Sequence, residues 1–275
     1  MKNIASCALT VLLAVCLYAQ TYEVELTPKG SVSSYTKTSY TVVSRFGDYY
    51  RTVSEREVHV LQSGREIEVS LFGSKDESLG KSTITYDPSG KKLSILDSKT
   101  AAGCADVKSD YEYEADSSVK SITNSDPSTG DVVGKTIFKR DGDKLTENRY
   151  DGSGKLECRV VKSFDTRALP VEEVQWNGDG TFAFSRKFSY LENSQISTVE
   201  TFGSDGNCSQ RVVFRYDASG FLTEVQVFED KIKERRIFKN DTYGNPVRIS
   251  YYEVAEKFGT TVNELVKIED LTYSY

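Results

Sequence analysis

Histidine, tryptophan and methionine each occur once in this chain, and proline five times. One imidazole and no cluster of cysteine with histidine argue against a zinc site and against histidine-based acid–base catalysis. With 38% hydrophobic and 28% charged residues, the chain is too polar for a helical membrane protein and too apolar for a disordered one. The net charge of −6 builds no basic face for nucleic acid, whose binding draws on released counterions. Helical periodicity is missing as well. What the chain has in quantity is tyrosine (17), phenylalanine (13), glycine (19) and acid (41 Asp and Glu).

The N-terminus is an address. Lys2 followed by the apolar stretch from Ile4 to Leu17 has the n-region and h-region of a secretory signal, shorter than the ~20 residues a membrane span needs. Cleavage after Leu17-Tyr18-Ala19 removes residues 1–19, leaves a domain of residues 20–275 and takes away Lys2 but no acid, so the net charge moves from −6 to −7. Cys104, Cys158 and Cys208 remain, either as one disulfide with a spare thiol or as three thiols. None lies in a CxxC or beside a histidine, which speaks against a redox or nucleophilic role.

Periodicity carries more information than any single residue. Turn residues recur at Gly90, Gly103, Asp116, Gly130, Gly142, Gly154, Ala168, Gly180, Ser194, Gly206, Gly220, Gly244 and Gly259, and Gly154, Gly180 and Gly206 are each 26 apart. One interval holds a strand and a turn, so two make a hairpin. Asp141-Gly142, Asp151-Gly152, Asn177-Gly178, Asp179-Gly180 and Asp205-Gly206 suit the positive φ of tight hairpin turns, while Glu229-Asp230-Lys231 must turn without glycine. Between turns the residues alternate: Val212, Phe214 and Tyr216 oppose Arg211, Val213 and Arg215, and Val247, Ile249 and Tyr251 oppose Arg248 and Ser250. Ser33 to Phe46 and Tyr49 to Leu61 predict longer strands. Residues 99–135 are the least strand-like part, although Tyr111-Glu112-Tyr113 has the pattern of a strand. The expectation is an all-β fold, one antiparallel meander of about 16–18 strands with 26-residue hairpin repeats over residues 82–260. At about 4.8 Å per strand a flat sheet of that size would be ~85 Å wide, so it must curl, split or close; a curled sheet or barrel is expected.

Three segments carry a resemblance. Tyr86-Asp87-Pro88-Ser89-Gly90, Tyr150-Asp151-Gly152-Ser153-Gly154 and Tyr216-Asp217-Ala218-Ser219-Gly220 share a YDxxG core followed by a leucine two or three residues later. They resemble the YD (RHS-type) repeats of secreted and surface bacterial proteins, which implies hairpins aligned in one long sheet. The copies at Phe138, Phe164 and Tyr190 lack the full motif, and no self-cleaving core or toxin tail is present, so a large encapsulating shell is not implied. Leu13-Ala14-Val15-Cys16 resembles a bacterial lipobox, which would make Cys16 a lipidation site. Leu271-Thr272-Tyr273-Ser274-Tyr275 resembles the closing strand of an outer-membrane barrel, yet charges from Lys144 to Asp151 and from Lys231 to Asp241 fall on both faces. Ala255 to Leu265 resembles the middle of a LysM peptidoglycan-binding module without its start; a hairpin turning at Phe258-Gly259 is the preferred reading.

Few residues suggest chemistry. His59, in Glu57-Val58-His59-Val60, reads as a strand-surface histidine, and no serine–aspartate constellation accompanies it. Trp176 is a strand-end aromatic able to stack on a sugar ring. Asp141-Gly142-Asp143 and Asn177-Gly178-Asp179 lack the remaining ligands of a calcium loop and read as turns. The sequence therefore predicts no catalytic residue, cofactor or metal. It predicts an exported periplasmic or surface protein that meets a protein, a glycan or an apolar ligand held on an aromatic concave face.

Overall fold

The computed structural model describes residue 22 and residues 27–45, 48–100, 104–257 and 259–275; the signal segment and Cys16 lie outside them. Eighteen strands follow one another: β1 (Ser34–Arg45), β2 (Asp48–Gln62), β3 (Arg65–Gly73), β4 (Ser78–Tyr86), β5 (Lys92–Lys99), β6 (Val107–Tyr113), β7 (Val119–Ser125), β8 (Val132–Asp141), β9 (Lys144–Asp151), β10 (Leu156–Phe164), β11 (Pro170–Asn177), β12 (Phe182–Tyr190), β13 (Ile196–Phe202), β14 (Cys208–Tyr216), β15 (Leu222–Phe228), β16 (Ile232–Asn240), β17 (Pro246–Lys257) and β18 (Thr260–Ser274). Each pairs antiparallel with the next, and β18 pairs back to β1 from Ser34↔Ser274 to Thr41↔Lys267. The meander is a closed barrel. The segment from Val107 to Ser125, expected to be loop-rich, holds β6 and β7, and the final hairpin turns between Lys257 and Thr260 as expected.

The turns explain the 26-residue period. At Asp151 the amide donates to the Lys155 carbonyl (3.0 Å) and the Gly154 amide returns to the Asp151 carbonyl (3.0 Å). The Asp151 carboxylate accepts the amides of Ser153 (2.8 Å) and Lys155 (3.0 Å), and the Ser153 hydroxyl with the Lys155 amide holds it below the usual carboxylate range. The same loop recurs at Asp87, Asp165, Asp217 and Asp241. Its fourth residue stands at positive φ, and a one-residue bulge follows in the next strand, as at Thr223 between the pairs Arg215↔Glu224 and Tyr216↔Leu222. Ala168 and Ser194 occupy this position at φ 60° and 67°, so the period continues where glycine does not.

Alternate turns close opposite rims. The near rim, where β1 begins and β18 ends, carries the turns after Tyr86 and Tyr216; the far rim carries the turn after Tyr150. Near-rim tyrosines point into the barrel and donate to a carbonyl at the start of the preceding strand: Tyr86 to Glu66 (2.9 Å), Tyr113 to Lys92 (2.7 Å), Tyr190 to Pro170 (2.6 Å) and Tyr216 to Ile196 (2.9 Å). Asn240 fills the same place through its amide, 2.7 Å from the Leu222 carbonyl. Tyr150, by contrast, faces outward opposite Lys135. The three motif copies thus mark two structural positions, one a lumen latch and the other an outer-wall aromatic.

The inner face is recognised by burial. Val199, Val212, Phe214, Val225, Val227, Phe238, Ile249 and Leu271 form a buried cluster along β13 to β18, and in the ladder they oppose one another or other inward residues. Burying each side chain of this size contributes roughly 1.5–3 kcal/mol.

The turn Asn177-Gly178-Asp179-Gly180 offers a direct comparison. A Cβ at Gly178 would fall 1.9 Å from the Leu156 carbonyl oxygen, which is backbone and cannot yield, whereas Gly180 has φ +85° and nothing within 4 Å. Urea unfolding should therefore show Gly178→Ala destabilised by about 3 kcal/mol or more, and Gly180→Ala by only about 1 kcal/mol, the cost of a left-handed alanine. Equal effects would contradict the packing described.

Candidate functional site

The barrel interior holds a cavity large enough for a ligand, and its wall has two characters. Along β12 to β18 it is aliphatic and aromatic, and Tyr22, from the segment before β1, lies on it edge-on to Phe188 and Phe214 with ring centroids 5.8 and 6.1 Å away. Burial, together with Tyr22, pushes the Tyr190 hydroxyl up to about 12. Along β2 to β10 the wall borders a cavity of about 650 Å³ whose lining mixes Val69, Leu71, Ile84, Ile95, Ile122 and Phe138 with carboxylates, amines and hydroxyls.

His59 anchors the polar half. It is buried on the inner face of β2, a correction to the surface position expected from the sequence. Its Nδ1 lies 2.5 Å from Glu66 and its Nε2 3.0 Å from Glu57, while its ring stacks on Tyr35 at 4.1 Å and 8°. Lys37 reaches Glu57 at 2.6 Å. Burial alone would lower the His59 pKa, but the hydrogen bonds to Glu57 and Glu66 outweigh it and raise the value above that of free imidazole. Burial would likewise raise Glu57, yet His59 and Lys37 pull it down to about 2. With a carboxylate on each ring nitrogen, the imidazole is clamped between Glu57 and Glu66, and its charged form is the one these contacts favour.

Other inward charges are paired in the same way. Arg149 meets Glu147 at 2.6 Å, Lys162 and Arg186 share Glu173 at 3.4 and 3.3 Å, Lys267 meets Glu269 at 2.6 Å, and Arg236 meets Glu234. Asp97, 7% exposed and lining the cavity, accepts a hydrogen bond from Ser82. Charge is thus divided between both faces of the barrel. A signal for this lay in the alternation of Glu55, Glu57 and His59 with Arg56, Val58 and Val60.

The remaining sequence candidates fall elsewhere. Trp176 stands on the outer wall at the far rim opposite Arg159, outside the cavity. It belongs to an outer series with Phe72, Tyr150, Phe202 and Phe228, spaced by 26 or its multiple. Cations cover three members: Arg56 lies 4.1 Å from the Phe72 centroid, Lys187 5.3 Å from Phe202 and Arg211 5.1 Å from Phe228. Among the described residues Cys104, Cys158 and Cys208 form no disulfide, and Cys158 is fully buried. Asp179 spends its carboxylate on the Thr181 amide (2.9 Å) and hydroxyl (2.6 Å), as a turn residue does.

The chain has a single histidine, so its titration is directly observable by NMR. Its ring resonances should titrate above 6.5, and the clamp's contribution to stability, full below that value, should fade as pH rises through the folded-state pKa. Glu57 acts in the opposite sense: its contribution is present above about 4.5 and lost as pH falls toward about 2. Replacement His59→Leu leaves Glu66 without its cation and Glu57 with Lys37 alone, both half-buried, and should cost about 1–3 kcal/mol at neutral pH. A histidine titrating below 6.5 would contradict the clamp.

No family model matches this sequence, and no curated protein does. Solved structures that align with it include a porin-like protein from Bacteroides uniformis (8% identity, 90% of this chain and 99% of that one, TM-score 0.33). A porin-like protein from Bacteroides vulgatus aligns at 11% identity over 88% and 98% of the two chains, with a TM-score of 0.30. The complex TcdB2-TccC3-Cdc42 aligns at 9% identity over 79% of this chain and 16% of that one, with a TM-score of 0.22. Likenesses of this size assign neither family nor activity.

Proposed function

We propose that this protein is an exported barrel of the cell envelope, standing in water, with a structural or partner-binding role and no catalytic chemistry of its own. The outer wall carries the reading. Charged residues sit near mid-strand around the circumference, among them Glu68, Lys81, Asp110, Arg159, Lys187, Glu200, Arg211 and Arg235, each opposite in alternation to the inward residues. Several pair across strands in the open, as Lys81 with Glu68 at 2.7 Å and Arg248 with Asp270 at 2.6 Å. A strand of nine residues rises only ~30 Å, so a lipid band of ~25 Å would take in these positions at roughly 2–4 kcal/mol for each midplane cation. An outer-membrane barrel shares the antiparallel closure and the aromatic closing strand, but it has to place those charges in lipid.

A second reading is favoured by the cavity: a carrier or binder that holds a small molecule inside the lumen. Roughly 300–1,000 Å³ is the range of small-molecule sites, and the cavity of about 650 Å³ lies within it.

Cell fractionation tests the first reading. Osmotic shock should release the protein without detergent, beginning at Gln20; if Cys16 is acylated, the protein should be membrane-bound and become shock-releasable in Cys16→Ser. A Cys16→Ser protein that stays in outer membranes and needs detergent would overturn the water-standing barrel.

A further inference from the structure

We propose that the lumen cavity takes an organic cation, a protonated amine or quaternary ammonium on an apolar body, with Asp97 as its counter-charge. The proposal rests on the binding reading of the lumen and adds the class of ligand. Four carboxylates line the cavity, those of Glu57, Glu66, Asp97 and Glu147. Three have their own cation: Lys37 and His59 on Glu57, His59 on Glu66, and Arg149 on Glu147. Asp97 is buried like Glu147 and more so than Glu57 or Glu66, yet its partner is the neutral hydroxyl of Ser82, and no ion pair among the described residues includes it. Buried charges are normally paired, because an uncompensated one is costly to desolvate.

The protein's own cations are held elsewhere. Lys92 lines the same cavity but lies over the Tyr111 ring, 5.6 Å from its centroid. It is five residues from Asp97 along β5, about 16 Å in an extended strand and beyond the reach of a lysine side chain. Lys99, the next inward residue after Asp97, makes no ion pair with it among the described residues. A metal ion is not favoured, because no group of three or more His, Cys, Asp or Glu among the described residues is arranged to hold one. Beside Asp97 the lining combines the hydroxyls of Ser82 and Ser109 with Ile84, Ile95 and Tyr111, and the apolar and aromatic part suits the body of an amine.

Purified barrel titrated with dansylcadaverine, neutral dansylamide and anionic dansylglycine, followed by fluorescence, tests this. The cationic probe should bind more tightly than the other two, and Asp97→Asn, which keeps a hydrogen-bond acceptor for Ser82, should weaken it by about tenfold or more while leaving dansylamide unchanged. Without ligand, Asp97→Asn should melt at the same temperature as the parent or higher, since it removes an uncompensated charge. Undiminished binding of dansylcadaverine to Asp97→Asn, or preference for dansylglycine, overturns the cation assignment and leaves the lumen a binding chamber. A lower melting temperature with loss of all probes makes Asp97 structural and also overturns it. Failure of every probe to bind the parent protein counts against the chamber itself.

Discussion

Backbone hydrogen bonding between β1 and β18 joins the two ends of the meander, and most of what distinguishes this molecule follows from that one seam. An open sheet of eighteen strands would present two unpaired edges and an apolar face with nothing to cover it. Closure removes the edges and turns the face inward. It also needs the ladder staggered around the ring, to which the one-residue bulge that recurs in the same sense at most hairpins contributes. The near-rim tyrosines then tie each turn to the strand before it.

Closing so many strands creates a second problem, because a ring of this circumference is on the order of 30 Å across, wider than a single layer of side chains can fill. The molecule solves it unevenly. Along β12 to β18 large aliphatic and aromatic residues, joined by Tyr22, make a packed wall. Along β2 to β10 the interior is left partly open and lined by paired charges. Ion pairs, which also occur on the other half at Arg186–Glu173, Arg236–Glu234 and Lys267–Glu269, suit an open interior because they hold their own geometry and tolerate water in the space between. The exception at Asp97 stands out against this regular pairing.

Much of the wall was legible in the sequence. The 26-residue period, the antiparallel meander, the count of 16–18 strands and the final hairpin at Phe258-Gly259 all came from turn chemistry and period-two alternation, which are local properties. The identity of the motif copies was less transparent. Tyr86 and Tyr216 are 130 positions apart, five periods of 26, whereas Tyr150 lies 64 from Tyr86, between periods. That half-period offset places Tyr150 on the opposite rim and the opposite face, although its local sequence looks the same.

Local chemistry by itself therefore determined where the chain turns, which residues share a face and that the resulting sheet must be covered. Only the tertiary structure decided which face was inside for each motif, that β18 meets β1, and that Lys37, Glu57, His59 and Glu66 from three strands converge on one clamp. The reason is physical: alternation specifies two faces but not their environments, and a charge pattern is compatible with water or with a buried partner until ring closure fixes which neighbours lie across the ladder.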